Sequence, residues 1–290
     1  MPSLIDIRRR IRSVKNMQQI TKAMKMVSAA KLRRAQDRVI RSRPYGGMLR
    51  SVLANVAAAA ARDDLASRNE LLARREEVNI LLVLITADKG LAGAFNTNLI
   101  KGAQRFKAER PQASVKLELI GRKGRDFFRK RRAAIAGDSI GLANKPAYAD
   151  TAAIARRAMD MYRRAEIDAV YILYNEFKSV VAQKLTLAQV LPVEMPAGSP
   201  AGAAPADYIF EQAPAAMLDV LLPRYVEMEF FHALIESSAA EHAARMTAME
   251  AATSNAGEMI DKLTLFLNRV RQASITKEII EVVSGAAAAG

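Results

Sequence analysis

The chain predicts a mixed fold: an antiparallel coiled coil of its N- and C-terminal helices, with an α/β domain inserted between them. Three observations carry this. Residues 3–43 contain neither Gly nor Pro, and residues 224–284 contain only Gly257. Both stretches far exceed the usual helix of about 10–14 residues and lack an internal stop signal. Between them, short apolar runs alternate with helix-length segments, the pattern of a mainly parallel sheet. A helix of about 60 residues spans roughly 90 Å, several times the width of a small domain. A chain that begins and ends with such helices can fold back and pair them into a rod.

The first helix covers residues 1–61, with a weak point expected at Arg43-Pro44-Tyr45-Gly46-Gly47. Leu4, Ile7, Ile11, Val14, Gln18, Thr21, Lys25, Ser28, Leu32, Ala35 and Val39 keep a 3-4 spacing. This seam turns polar or small from Gln18 to Ser28, where Met17, Ile20, Met24 and Val27 form a second apolar row. The stripe is therefore expected to move around the helix midway, as in a helix that leaves one partner and meets another. Residues 62–77 are charged and mixed, and read as a linker.

The α/β domain is placed at residues 78–192. VNILLVLIT (78–86) is a near-continuous apolar run of strand length, as expected of a buried parallel strand. Helix is expected over 92–110, strand over 115–120, helix over 121–132, strand over 133–140, helix over 149–166 and strand over 169–174. Residues 179–191 alternate well enough for an antiparallel edge strand. Residues 193–213 contain Pro196, Gly198, Pro200, Gly202 and Pro205 and read as a loop. The C-terminal coiled-coil region is 214–290, with its uninterrupted helix expected after Pro223. There Met249, Thr253, Ala256, Ile260, Leu263, Leu267, Val270 and Ser274 form a coiled-coil seam that includes small residues. The Met residues near the seam read as packing filler.

Composition removes several classes of function. There is no Cys, so no disulfide framework or thiolate metal site exists. His232 and His242 are the only histidines and face different sides of one predicted helix. No Ser/His/Asp or Cys/His set can be assembled, and neither metal nor cofactor is expected. No run of about 20 apolar residues is present. MPSLIDIRRR lacks the apolar core of a signal peptide and flows into the helical pattern, so it reads as a mature start. The inserted domain is Rossmann-like, yet Thr86-Ala87-Asp88-Lys89-Gly90-Leu91-Ala92-Gly93 lacks both GxGxxG and GxxxxGK[ST] spacing. Its glycines read as turn geometry, and Gly121-Arg122-Lys123-Gly124 reads as a helix start after a strand.

The net charge of +14 is unevenly spread: residues 1–50 hold fourteen basic and two acidic residues. Such a helix calls for an acidic partner, whether protein, nucleic acid or anionic membrane. A nucleic-acid-binding coiled coil is the alternative reading, weakened by the absence of Trp and the small number of Tyr and Phe.

Residues 20–36 (ITKAMKMVSAAKLRRAQ) and 271–286 (RQASITKEIIEVVSGA) resemble the terminal signatures of the γ-subunit family of F-type ATP synthases. DKGLAGAFN (88–96) and LPRY (222–225) also match family patterns. The resemblance covers essentially the whole chain and implies a non-catalytic central-stalk rotor. Its coiled coil would sit inside the α3β3 hexamer, and its foot, with ε, would rest on the c-ring. One copy per complex would couple proton-driven rotation to ATP synthesis, reversibly with hydrolysis.

Residue by residue, the resemblance implies that Met24 and Lys25 lie near the β catch loop. It implies β contacts for Arg271, Gln272, Thr276 and Glu278, and a nearby coupling role for Arg245. It offers Tyr208 and Glu211 as c-ring or foot contacts. Residues 236–241 (ESSAAE) depart mildly from the family's Ala-Ser-Glu stretch, and no Cys-bearing regulatory insertion is present. The implied location is peripheral, on the cytoplasmic face of a bacterial inner membrane rather than the mitochondrial matrix face.

Overall fold

The computed structural model describes residues 3–60, 69–194 and 212–289. The first helix, α1, runs Leu4–Ala60. After a 3-10 turn at Glu70–Leu72 come β1 (Asn79–Ile85), α2 (Phe95–Ala108), β2 (Ser114–Ile120), α3 (Arg122–Lys130) and β3 (Ile135–Ser139). Then follow α4 (Tyr148–Arg163), β4 (Ala169–Phe177), β5 (Gln183–Leu191) and α5 (Pro214–Ala289). The chain forms two compact units. One comprises residues 1–28 with 246–290; the other is 29–245, so both terminal helices contribute to both.

In the larger unit the sheet order is β3-β2-β1-β4-β5. The first four strands are parallel, and β5 is antiparallel to β4 at the edge. Successive residues of β1 point to opposite faces. Leu81, Val83 and Ile85 join α4, α1 (Leu53, Val56) and α5 (Leu222, Val226, Phe230) in one core. Ile80, Leu82 and Leu84 join α2 (Phe95, Leu99, Phe106) and Phe128 of α3 in another. Both faces are covered, which is why β1 reads as an unbroken apolar run.

α1 is a single helix, as expected, while α5 starts earlier than expected. The Pro44-Tyr45-Gly46-Gly47 stretch does not interrupt α1. Pro44 removes one backbone donor, but Val39, Leu49 and Leu53 are buried on either side, and that packing outweighs the local penalty. The missing side chains of Gly46 and Gly47 leave a hollow of about 190 Å³ opposite Tyr225 and Met228. Likewise α5 does not wait for Pro223. It begins at Pro214, a residue suited to the first helical position, and passes through Pro223 between the buried Leu222 and Val226.

In the smaller unit α1 and α5 are antiparallel. Going from Thr21 to Lys25 on α1, the facing residue falls from Thr253 to Glu250 on α5. Every expected seam position of both helices is buried or half-buried. The seam does not migrate, however. Met17, Ile20 and Val27 are 57%, 60% and 58% exposed, and only Met24 of that row is half-buried. Gln18 and Thr21 themselves make the contact, and Ser28 is buried with its hydroxyl on the Met24 carbonyl, so no apolar substitute row is needed.

Candidate functional site

The expected site residues fall into three settings. Met24 and Lys25 lie on the helix pair. Thr21 and Thr253 share a hydroxyl hydrogen bond of 2.7 Å, and Gln18 Nε2 donates to the Thr253 carbonyl at 3.4 Å. Lys25 Nζ is 2.6 Å from Glu250 Oε1, in a partly exposed pair. Lys25 therefore already has an acidic partner within the chain. A polar groove of about 660 Å³ runs beside these contacts, lined by Gln18, Lys22, Lys25, Glu250, Glu258 and Asp261.

Arg271, Gln272, Thr276 and Glu278 sit farther along α5, all exposed. With Thr21 opposite Thr253, an antiparallel register exhausts α1 near residue 271 of α5. Beyond it Ile275, Ile279, Ile280, Val282 and Val283 are 49–71% exposed. Within this unit Thr276 Oγ1 caps back to the Gln272 carbonyl at 2.9 Å and Glu278 receives Ser274 at 3.3 Å. The α1 and α5 candidates are thus not brought together on one spot.

Arg245 is a third case. It is only 8% exposed, and its guanidinium faces inward. It donates to Glu241 Oε1 at 2.7 Å, to the Gly90 carbonyl at 3.3 Å and to the Lys89 carbonyl at 3.4 Å. Burial pushes the Glu241 carboxyl up, partly offset by Arg245. Beside it His242 is held neutral, its pKa depressed to about 4 by burial and then by Arg245 and Lys31. Its Nδ1 has no partner among the described residues. Tyr208 and Glu211 lie outside the described residues.

At the strand ends, the Asp88 loop is occupied by the chain's own groups. Asp88 accepts from Arg122 N at the start of α3 (3.1 Å), from Gly141 N (3.1 Å) and from Asn144 Nδ2 (2.8 Å). Gly121 is obligatory: its φ is +97°, and a Cβ there would meet the Thr86 carbonyl oxygen at 2.0 Å. Along α5, Ser237 Oγ reaches the Ile85 carbonyl at 3.5 Å and Ser238 Oγ the Ala143 carbonyl at 2.9 Å. The end of the sheet where such folds hold ligands is crossed by a helix. Asp88 begins the DKGLAGAFN motif, but its service to the start of α3 and to the loop holding Gly141 and Asn144 is a contact between segments distant in sequence, with no local signal.

Sequence reasoning also missed a second basic region. Residues 101–134 hold twelve basic and three acidic residues. A signal was available in the run RKGRDFFRKRR (122–132).

Among the described residues there is no cluster of three or more metal-ligating side chains. No helix among them is long and apolar enough to cross a membrane.

Residues 3–289 match the sequence model of the family described as ATP synthase. The chain is 73% identical to the ATP synthase gamma chain of Solibacter usitatus, covering 100% of both. It is 51% identical to that of Anaeromyxobacter sp. strain Fw109-5 over 99% of each. Among solved structures, a chain of the Euglena gracilis mitochondrial ATP synthase assembly of OSCP, F1 and c-ring superposes with a TM-score of 0.66 at 19% identity. That match covers 98% of this chain and 94% of the other. A chain of the Tetrahymena thermophila mitochondrial central stalk and c-ring gives 0.59 at 23% identity, covering 80% and 99%. At these identities the likeness to the solved structures is one of fold.

Proposed function

The chain belongs to the family of ATP synthase gamma chains, and from that premise we propose that it is the non-catalytic rotor of the central stalk. It couples rotation of a proton-driven c-ring to conformational change at catalytic β subunits, for ATP synthesis and, in reverse, hydrolysis. One copy serves an α3β3 hexamer, with ε and the c-ring at the other end, at the cytoplasmic face of a bacterial inner membrane. The observation that carries this reading is the last stretch of α5, helical and apolar yet exposed at Ile275, Ile279, Ile280, Val282 and Val283. A lone helix of that kind needs a surrounding sleeve to bury it.

Met24, Lys25, Arg271, Gln272, Thr276 and Glu278 are the proposed sliding contacts with that sleeve. Exposed ion pairs and hydrogen bonds contribute about 1 kcal/mol each, weak enough to be made and broken at every turn. Arg245 is proposed as a coupling residue, and Tyr208 and Glu211 as foot contacts. The basic first helix then meets acidic loops of β. The comparisons lend the nucleic-acid reading no support. DNA binding by charge alone would fall steeply with salt and show no sequence preference.

The test is ATP hydrolysis by α and β subunits of the same source, assembled with and without this chain. Strong stimulation at one copy per three β subunits is expected; no association and no stimulation would overturn the reading. Met24→Lys sharpens it. A second cation beside acidic loops overtightens one rotor position, so proton-driven synthesis should fall more than hydrolysis. Equal loss of both activities in membrane vesicles would count against the contact.

A further inference from the structure

The α2–α3 side of the sheet carries a cavity that the rotor reading leaves unused. It measures about 610 Å³ and lies between the C-terminal halves of α2 and α3, over the start of β2. Val115, Leu117 and Phe128 floor it, while Lys107, Arg131 and Arg132 are the charged groups that line it. No carboxylate among the described residues lines it.

Several arginines of the same unit have a carboxylate partner. Arg105 pairs with Glu109, Arg125 with Asp126, Arg156 with Glu227 and Arg157 with the buried Glu118. Lys107, Arg131 and Arg132 have no carboxylate partner among the described residues. Cations in the last turn of a helix complement its dipole. Yet Arg131 and Arg132 lie past Lys130, the last residue of α3. Arg131 is also held in place, its guanidinium 3.7 Å from the centroid of Phe127. A guanidinium stacked in this way presents its donors with little further ordering to do.

We propose that this cavity binds a free nucleoside polyphosphate, with the phosphates on Lys107, Arg131 and Arg132 and the base on the apolar floor. Three unpaired cations match a ligand of three to four negative charges. The volume falls within the few hundred to about 1,000 Å³ of small-ligand sites. A membrane surface fits less well: no large apolar side chain between residues 92 and 139 is strongly exposed beside the cations. An acidic protein segment would want such an anchor too. The site lies at the start of the strands, away from the strand ends that α5 and Asp88 occupy.

The experiment is photolabelling of the purified full chain with 8-azido-ATP, followed by peptide mapping, with ATP, tripolyphosphate and phosphatidylglycerol vesicles as competitors. Label is expected within residues 101–134, displaced by ATP and less well by tripolyphosphate. Arg131→Glu with Arg132→Glu should weaken ATP binding about tenfold or more, and the same reversal at Arg9 and Arg10 should leave it unchanged. Circular dichroism melts establish that each variant folds. Should the double variant not fold, Lys107→Ala alone is expected to weaken binding about threefold. Label on the first helix, equal displacement by tripolyphosphate, displacement by vesicles, or unchanged binding in the folded variants would each overturn the proposal.

Discussion

The same two helices meet twice, and the two meetings are built from different chemistry. In the larger unit Leu53 and Val56 of α1 pack with Leu222, Val226 and Phe230 of α5, all at 1% exposure or less. In the smaller unit the seam is apolar around Ile7, at 2% exposure, but gives way to a polar stretch where Gln18, Thr21 and Lys25 face Thr253 and Glu250. Burying a large aliphatic side chain contributes about 2 kcal/mol, and a net hydrogen bond about 1. The first contact is therefore permanent core. The polar stretch of the second is a light seam, and the outward apolar residues Met17, Ile20 and Val27 beside it remain exposed. A helix pair that turns inside a sleeve needs its strength at one place and its adaptability at another.

Four substitutions at three places probe that contrast, in order of expected effect. Leu53→Ala empties a fully buried site and should cost about 2–5 kcal/mol, read as a lower denaturant midpoint. A loss below about 1 kcal/mol would mean the larger unit is no better packed than the seam.

His242→Gln comes next. The folded state holds His242 neutral with a pKa of about 4, while the unfolded chain protonates near pH 6.5. The unfolded state binds the extra proton in that window. The imidazole's contribution is complete above pH 6.5, falls as pH drops and is lost by about pH 4. The wild-type chain should lose about 3 kcal/mol more than the Gln variant between pH 7 and 4. Parallel stability curves for the two proteins would sink this assignment.

The smallest effect belongs to the seam. Lys25→Ala and Glu250→Ala should each cost less than about 1 kcal/mol, with a coupling of a few tenths in a double-mutant cycle. Hydrogen exchange should speed up only in residues near 25 and 250, leaving the sheet unchanged. Global destabilisation from either change would erase the distinction between the two contacts.

Much of this was legible beforehand, for reasons of periodicity. Seam positions from Leu4 to Val39 and from Met249 to Ser274 follow from 3-4 spacing, because that spacing decides which face a helix can bury. β1 was legible because a strand covered on both faces must be apolar throughout. What escaped depended on contacts far apart in sequence. Pro44 and Pro223 look like breaks until the packing on either side of them is known. Met17, Ile20 and Val27 look like a core row until Thr21 is seen to meet Thr253. Arg245 reads as one more surface cation, and only the fold brings it to the Gly90 carbonyl, 155 residues away.

Asp88 has a consequence for how the domain responds to its surroundings. A carboxylate carried on the chain's own loop faces the first N–H of α3 at an effective concentration of millimolar or more, set by covalent connection rather than by supply. A free phosphate competing for that N–H would also have to detach the loop that holds Gly141 and Asn144. The chain's own carboxylate thereby holds this N–H together with the loop after β3, so one side chain ties the start of α3 to a segment about twenty residues farther on.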